Sequence, residues 1–186
     1  MIKRGSSTVG TMKIGSNTVT KVALGSTTVF PAGGPPAAVL LEGFEATPFT
    51  GLYSDWVTVF GGPTVTRTSS HVTQGSFSWD VSGSSAFTGV RQSPTWDLTA
   101  VIPSPTTFYV DVFIQTMPAG GTLRFSIVDD NTGNQDSAVT AASATGAFTL
   151  QFTKSNVTDF TAIYFQISAS PIGGAVDFYV DNLRGQ

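Results

Sequence analysis

Cysteine is absent from the chain, and histidine occurs once, at position 71. Without thiols there is no disulfide framework, no thiolate metal site and no cysteine nucleophile. A single imidazole also excludes a multi-histidine metal centre. Charge is scarce: Asp, Glu, Lys and Arg make up 11% of the 186 residues, against roughly 25% in ordinary soluble domains. No run of 18 apolar residues occurs, so no membrane insertion is expected. The opening Met-Ile-Lys-Arg is not followed by the apolar run of a secretory leader. No window shows sustained 3.6-residue periodicity, and there is no Gly-x-Ser-x-Gly elbow, phosphate-binding glycine loop or histidine metal motif. His71 stands in a Ser/Thr-rich stretch and reads as a surface loop residue; Asp129-Asp130, the one adjacent acidic pair, precedes Asn131-Thr-Gly and reads as a turn. No acid–base constellation is recognisable, so a non-enzymatic chain is expected.

What fills the gap is 20 Ser and 27 Thr, with 20 Gly and 10 Pro for turns and 40% hydrophobic residues for a core. Thr, Val and Phe favour strands, so the expected class is all-β. The first thirty residues repeat a ten-residue unit three times, with Gly5-Ser6, Gly15-Ser16 and Gly25-Ser26 each followed by Thr and Val at constant spacing. A short repeat that cannot bury its own apolar face marks an assembly element. The Gly-Ser-x-Thr tetrads read as turns and Thr8–Ile14 and Thr18–Leu24 as strands, with Met12, Ile14, Val22 and Leu24 on one apolar face. Such a meander is marginal alone, which suggests closed symmetry, a homotrimer. Lys3, Arg4, Lys13 and Lys21 all precede the first acid, Glu42, so the arm carries +4; five basic against twelve acidic residues leave −7 for the rest. An acidic main domain with a thin basic footprint argues against nucleic-acid binding. Pro31-Ala-Gly-Gly-Pro-Pro36 separates the arm, residues 1–30, from a domain spanning 37–186.

In that domain strands are expected at Val39–Glu45, Trp56–Phe60, Thr64–Ser69, Ser76–Val81, Thr106–Gln115, Leu123–Val128, Ala147–Thr153, Ala162–Ile167 and Ala175–Arg184. Alternation is clean in several: Phe108, Val110, Val112 and Ile114 face one way, Tyr109, Asp111, Phe113 and Gln115 the other. This spacing predicts a two-sheet antiparallel β-sandwich of jelly-roll type.

Leu41-Glu42-Gly43-Phe44-Glu45, Gln74-Gly75-Ser76-Phe77-Ser78-Trp79-Asp80-Val81, Trp96-Asp97-Leu98-Thr99 and Phe178-Tyr179-Val180-Asp181-Asn182-Leu183-Arg184 follow one another in this order. The order resembles the jelly-roll carbohydrate-binding modules attached to many glycoside hydrolases, over about residues 38–186. The resemblance implies a structural Ca2+ held by Glu45, Gly75 and Asp181, with Glu42 in reserve; hard oxygen ligands suit that ion. It also implies aromatic platforms for sugar, for which Tyr53, Trp56, Trp79, Trp96 and Tyr109 are the candidates. Residues 3–31 resemble short repeats of tailed-bacteriophage virion accessory proteins. The two resemblances together imply a non-enzymatic virion-surface protein. Its arm contacts other virion proteins, of capsid or tail, and its sandwich contacts host-surface glycans. Capsid decoration or cement is favoured over a tail or baseplate adhesin because the chain is short for a fibre. A free carbohydrate-binding module of a glycan-degrading system is the alternative.

Overall fold

The computed structural model describes residues 12–14, 17–19, 22–24, 27–30, 38–48, 56–59, 62–92, 95–170 and 173–186. The chain divides into two compact units, Met1–Ala37 and Ala38–Gln186. In the first, β1 (Met12–Ile14) pairs antiparallel with β2 (Asn17–Val19), and β3 (Val22–Leu24) with β4 (Thr27–Phe30). The expected strand Thr18–Leu24 is therefore two strands belonging to two hairpins. In sequence, Gly-Ser alone separates the partners, and glycine followed by a polar residue favours two-residue hairpin connections. The expected Pro/Gly spacer, residues 31–36, lies outside the described residues.

The second unit is a jelly-roll sandwich of two antiparallel sheets. The six-stranded sheet runs β13 (Gly146–Thr153), β10 (Thr107–Thr116), β15 (Val176–Gly185), β8 (Ser78–Gly83) and β7 (Thr64–Thr68), with β5 (Val39–Glu42) also on β15. β8 takes Val176–Val180 of β15 and β5 takes Leu183–Gly185, so first and last strands close the fold together. The five-stranded sheet runs β12 (Gln135–Val139), β11 (Thr122–Asp129), β14 (Ile163–Ser170), β9 (Thr88–Gln92) and β6 (Trp56–Val59).

Alternation decides the core. Phe108, Val110, Val112 and Ile114 from one sheet meet Leu123, Phe125, Ile127, Phe165 and Ile167 from the other, all buried. Each such side chain contributes about 1.5 to 3 kcal/mol on burial. Phe44, Trp56 and Trp79 form an edge-to-face triangle with centroids 5.2 to 5.9 Å apart. Phe44 holds this position at a φ of +54°, where Glu42 Oε1 accepts its backbone N–H at 2.8 Å. Nine expected sandwich strands are present with shifted ends; β9 and β12 were not anticipated. Thr88-Gly-Val-Arg-Gln and Gln135-Asp-Ser-Ala-Val are short, and neither shows an apolar alternation to read.

Candidate functional site

The register of the five-stranded sheet maps its outer face row by row. One row runs Gly89 on β9, Ser168 on β14, Arg124 on β11 and Val139 on β12. The next runs Val57 on β6, then Arg91, Gln166, Ser126 and Ser137. Tyr164 follows beside Val128. Arg91 lies over the Tyr164 ring at 5.5 Å, and Gln166 Nε2 donates to Ser168 Oγ at 3.1 Å. Ser126 and Ser168 are buried although they point outward, because the longer side chains of the same face stand over them. Phe87, just before β9, is 48% exposed. Gly89 accepts no side chain: a Cβ would stand 2.2 Å from the Ile167 carbonyl oxygen. The surface therefore has guanidinium donors, an amide, hydroxyls and aromatic edges on central strands, with no carboxylate at any described outward position of β9, β14, β11 or β12. This chemistry suits a ligand rich in oxygen acceptors with apolar ring faces.

On the outer face of the six-stranded sheet, the groups around Asp111 satisfy one another. Asp111 receives Arg184 Nη1 at 2.9 Å, Asn182 Nδ2 at 2.7 Å, Thr149 Oγ1 at 2.7 Å and Thr73 Oγ1 at 3.1 Å. Burial pushes its carboxyl up, but these donors together hold it below the ordinary carboxylate value. Further along, Asp80 and Asp177 lie on adjacent strands. Burial first, then the charge and hydrogen bond of Asp177, push the Asp80 carboxyl up to about 6. Burial and both acids raise the Tyr179 phenol. His71 is exposed in the β7–β8 loop at a φ of +52°, as its surroundings in sequence suggest, and stacks on Phe113 at 3.6 Å.

A bulge in β15 explains the Val180-Asp181-Asn182-Leu183 motif. Asp181 stands opposite Asp111 and Arg184 opposite Tyr109, so β15 carries one extra residue there. Asn182 takes it up at a φ of +54°, and Leu183 turns into the core. Asp181 is buried beneath the loop before β8, where its Oδ2 accepts from Thr73 N at 2.6 Å and Gln74 N at 2.8 Å. Burial raises its carboxyl, and those two amides pull the other way. Glu45 holds the same loop through Ser76 N, at 2.9 Å to Oε1 and 3.2 Å to Oε2. Gly75, with a φ of +73°, leaves room for that carboxylate; a Cβ there would lie 1.8 Å from Glu45 Oε1.

Glu45, Gly75 and Asp181 thus gather at one loop, while Glu42 is engaged at Phe44. Asp181 Oδ1 and Gln74 Oε1 are buried there without a hydrogen-bond partner among the described residues. Orphaned hard oxygens fit a calcium-type cation. Among the described residues no three His, Cys, Asp or Glu side chains cluster, so amide and backbone oxygens would complete the set.

The expected aromatic platforms require correction. Trp56 and Trp79 are 1% and 0% exposed and belong to the core triangle, so neither presents a face to a ligand. Their β-strand positions point inward, and Phe44, just after β5, seals them. Trp96 is half-buried, edge-on to Phe165 at 6.3 Å, and lines an open groove with Leu40, Leu41 and Val101. Tyr109 faces outward on the other sheet, 5.3 Å beneath the Arg184 guanidinium. Tyr53 lies outside the described residues. Arg91, Tyr164, Gln166 and Phe87 are not among the candidates that the sequence singles out. Tyr164 and Gln166 were legible as the outward partners of Ile163, Phe165 and Ile167, but Phe87 and Arg91 belong to the unanticipated β9.

No family model matches the sequence, and no curated protein matches it. Solved structures do share the fold. The C-terminal family 22 carbohydrate-binding module of Clostridium thermocellum Xyn10B, described through ligand binding in its cleft, has a TM-score of 0.54 at 19% identity, over 81% of this chain and 96% of that one. The family 11 module of C. thermocellum Lic26A-Cel5E gives 0.54 at 14%, over 80% and 94%. An exo-β-agarase gives 0.57 at 11% over 79% of this chain, which corresponds to 25% of the agarase. At these identities the likeness is one of fold: the second unit has the jelly-roll architecture found in carbohydrate-binding modules.

Proposed function

We propose that the sandwich is a non-catalytic glycan-binding module, and that its ligand lies across the outer face of the five-stranded sheet. The observation that carries this reading is the row of Arg91, Gln166 and Ser126 beside Tyr164, on rigid central strands. Polar forks and hydroxyls orient a sugar chain while the aromatic side chains pack on its apolar ring faces. The fold shared with carbohydrate-binding modules supports the reading. Affinity electrophoresis of the full chain through gels holding different soluble polysaccharides tests it. Retardation by at least one glycan, lost in Tyr164→Ala and Arg91→Ala together, is expected; free migration in every gel refutes it.

A calcium ion at the Glu45–Gln74–Asp181 loop belongs to the same proposal, as a structural element that ties β15 to the β7–β8 loop. When bound it would supply positive charge to Asp181 Oδ1, Gln74 Oε1 and the Glu45 carboxylate. Elemental analysis, and melting with and without a chelator, check it: no bound metal and an unchanged melting temperature refute the site.

A second reading concerns the first unit. Its ten-residue repeat forms paired short strands in a compact unit of its own, which favours an attachment arm. In this reading the arm mounts the module on a larger particle, such as a bacteriophage virion, as a trimer. Light scattering of the full chain at low and high salt tests it. A monomer of 19.4 kDa under all conditions, with no co-sedimentation with purified particles, counts against the arm and leaves a free module.

A further inference from the structure

Resting on the reading that this face takes a glycan, we infer that the glycan is acidic, bearing carboxylate or sulfate groups that pair with Arg91 and Arg124. The argument starts from where the charges lie. The second unit holds twelve acidic and five basic residues, Arg67, Arg91, Arg124, Lys154 and Arg184. Arg184 is neutralised by Asp111 at 2.9 Å. Arg67 donates to the Glu45 carbonyl and lies over Phe77, and Lys154 lies over Phe160. Arg91 and Arg124 share one face, both exposed, and neither guanidinium forms an ion pair or hydrogen bond among the described residues; Arg91 lies over the Tyr164 ring.

The acids of the neighbouring strands are turned away and occupied. Asp129 is fully buried and holds its own turn through Asn131 N and Thr132 Oγ1. Asp136 clamps the amides of Ser155, Asn156 and Val157. An acidic unit has thus kept the described outward positions of β9, β14, β11 and β12 free of carboxylates, with the exposed Asp130 just beyond the end of β11, and placed two guanidinium groups among them.

Guanidinium groups only donate. The hydroxyls of a neutral sugar both donate and accept, and a face built for them needs acceptors as well. The other polar groups of this face, the serine and Tyr164 hydroxyls and the Gln135 and Gln166 amides, both donate and accept, and the Gln166 amide already donates to Ser168, so the two guanidinium groups leave donors in excess. The donor excess matches a ligand whose groups accept and carry negative charge. Arg91 and Arg124 lie two strands apart and two residues along, which places their Cα atoms about 12 Å apart, a separation suited to anionic groups on a repeating disaccharide. Carboxylates and sulfates both pair with the guanidinium fork. Because the rest of the unit repels polyanions, the attraction is local and sensitive to salt.

The test compares polygalacturonate, its carboxyl-reduced neutral counterpart, dextran sulfate and plain dextran, by affinity electrophoresis and calorimetry on the full chain. Arg91→Gln and Arg124→Gln accompany it, with circular dichroism to verify folding. One or both anionic polymers should bind at least about tenfold more tightly than their neutral counterparts, with each substitution removing about tenfold of that preference and high salt abolishing it. Polygalacturonate alone or dextran sulfate alone identifies the carboxylate or the sulfate as the recognised group. Equal or tighter binding of the neutral polymers, or a preference unchanged by both substitutions, overturns the inference while leaving the glycan-binding reading intact. Binding of no polymer, in this panel or the wider one above, takes down both.

Discussion

Replacing Asp177 with asparagine should stabilise the sandwich at pH 8 and flatten its pH dependence between about pH 4 and 7. Asp80 on β8 stands opposite Tyr179 on β15, and Asp177 opposite Ser82, so the two acids are diagonal neighbours on one face of an antiparallel pair. The Oδ1 atom of each is buried with no hydrogen-bond partner among the described residues. Burial, then Asp177, moves the Asp80 carboxyl from 3.8 to about 6. The folded protein therefore binds more protons than the unfolded chain between those values. The stability this contributes is fully present below about pH 4 and is lost as pH rises through 6. Fully expressed, the shift is worth about 3 kcal/mol; solvent screening at a half-buried pair reduces it to about 1 to 2 kcal/mol. Asparagine removes the charge repulsion but leaves the desolvation, so a gain of about 1 kcal/mol is expected at pH 8, or about 2 to 4 °C in melting temperature. At pH 4 the proton on Asp80 already relieves the repulsion, and no gain is expected. Thermal melts of both proteins from pH 4 to 8 at constant ionic strength read the difference directly. A variant less stable than the parent at pH 8, or one shifted equally at every pH, would refute the reasoning.

Three further outcomes follow from the same geometry. Arg184→Met should cost about 1 to 3 kcal/mol by leaving Asp111 buried without its ion pair; because the Asp111 carboxyl is held low in the fold, the loss should be largest above pH 5 and shrink as acid protonates it, which a pH series of denaturant titrations measures. Asp136→Ala should release the loop at residues 155–157, with faster amide exchange at Ser155, Asn156 and Val157 and a stability loss of about 2 kcal/mol; unchanged exchange there would refute the clamp. Gly75→Ala should destabilise by more than about 1 kcal/mol, since a Cβ would meet Glu45 Oε1 at 1.8 Å and φ is +73°; a melting temperature equal to the parent's would show that the loop yields freely.

The sandwich was legible because its longest strands alternate. Phe108 to Ile114 and Ile163 to Ile167 announce which face is buried, and the sheets follow from that pattern. The gathering of Glu45, Gly75 and Asp181 at one loop was expected through the resemblance to jelly-roll carbohydrate-binding modules and not from any local pattern, since these residues are far apart in sequence and meet only when the fold closes. The face proposed here for a ligand was not. Tryptophan attracts attention as a sugar platform, yet Trp56 and Trp79 are the large apolar side chains that a sandwich of this size needs inside. Composition cannot tell a ring that fills a core from a ring that meets a ligand. Register can, and register around β9 was hidden because two of its three inward residues, Thr88 and Gln92, are polar and leave Val90 as the one apolar position.

The two outer faces then divide the work of the unit. On the six-stranded sheet, Asp111, Asn182, Arg184, Thr73 and Thr149 spend their hydrogen-bonding capacity on one another, and the result fixes the β15 bulge and the loop above it. Such a network is costly to disturb and has little left to offer a ligand. On the five-stranded sheet, the guanidinium groups of Arg91 and Arg124 are exposed and hydrated, so leaving them without protein partners costs the fold little. Their backbones sit on β9 and β11, each paired on both sides, and a ligand meets donors whose strands are already ordered. On the proposed reading, stability and recognition lie on opposite sides of one core. Substitutions at Arg91 or Arg124 should therefore change binding without moving the melting temperature, whereas those at Asp111 or Arg184 should do the reverse.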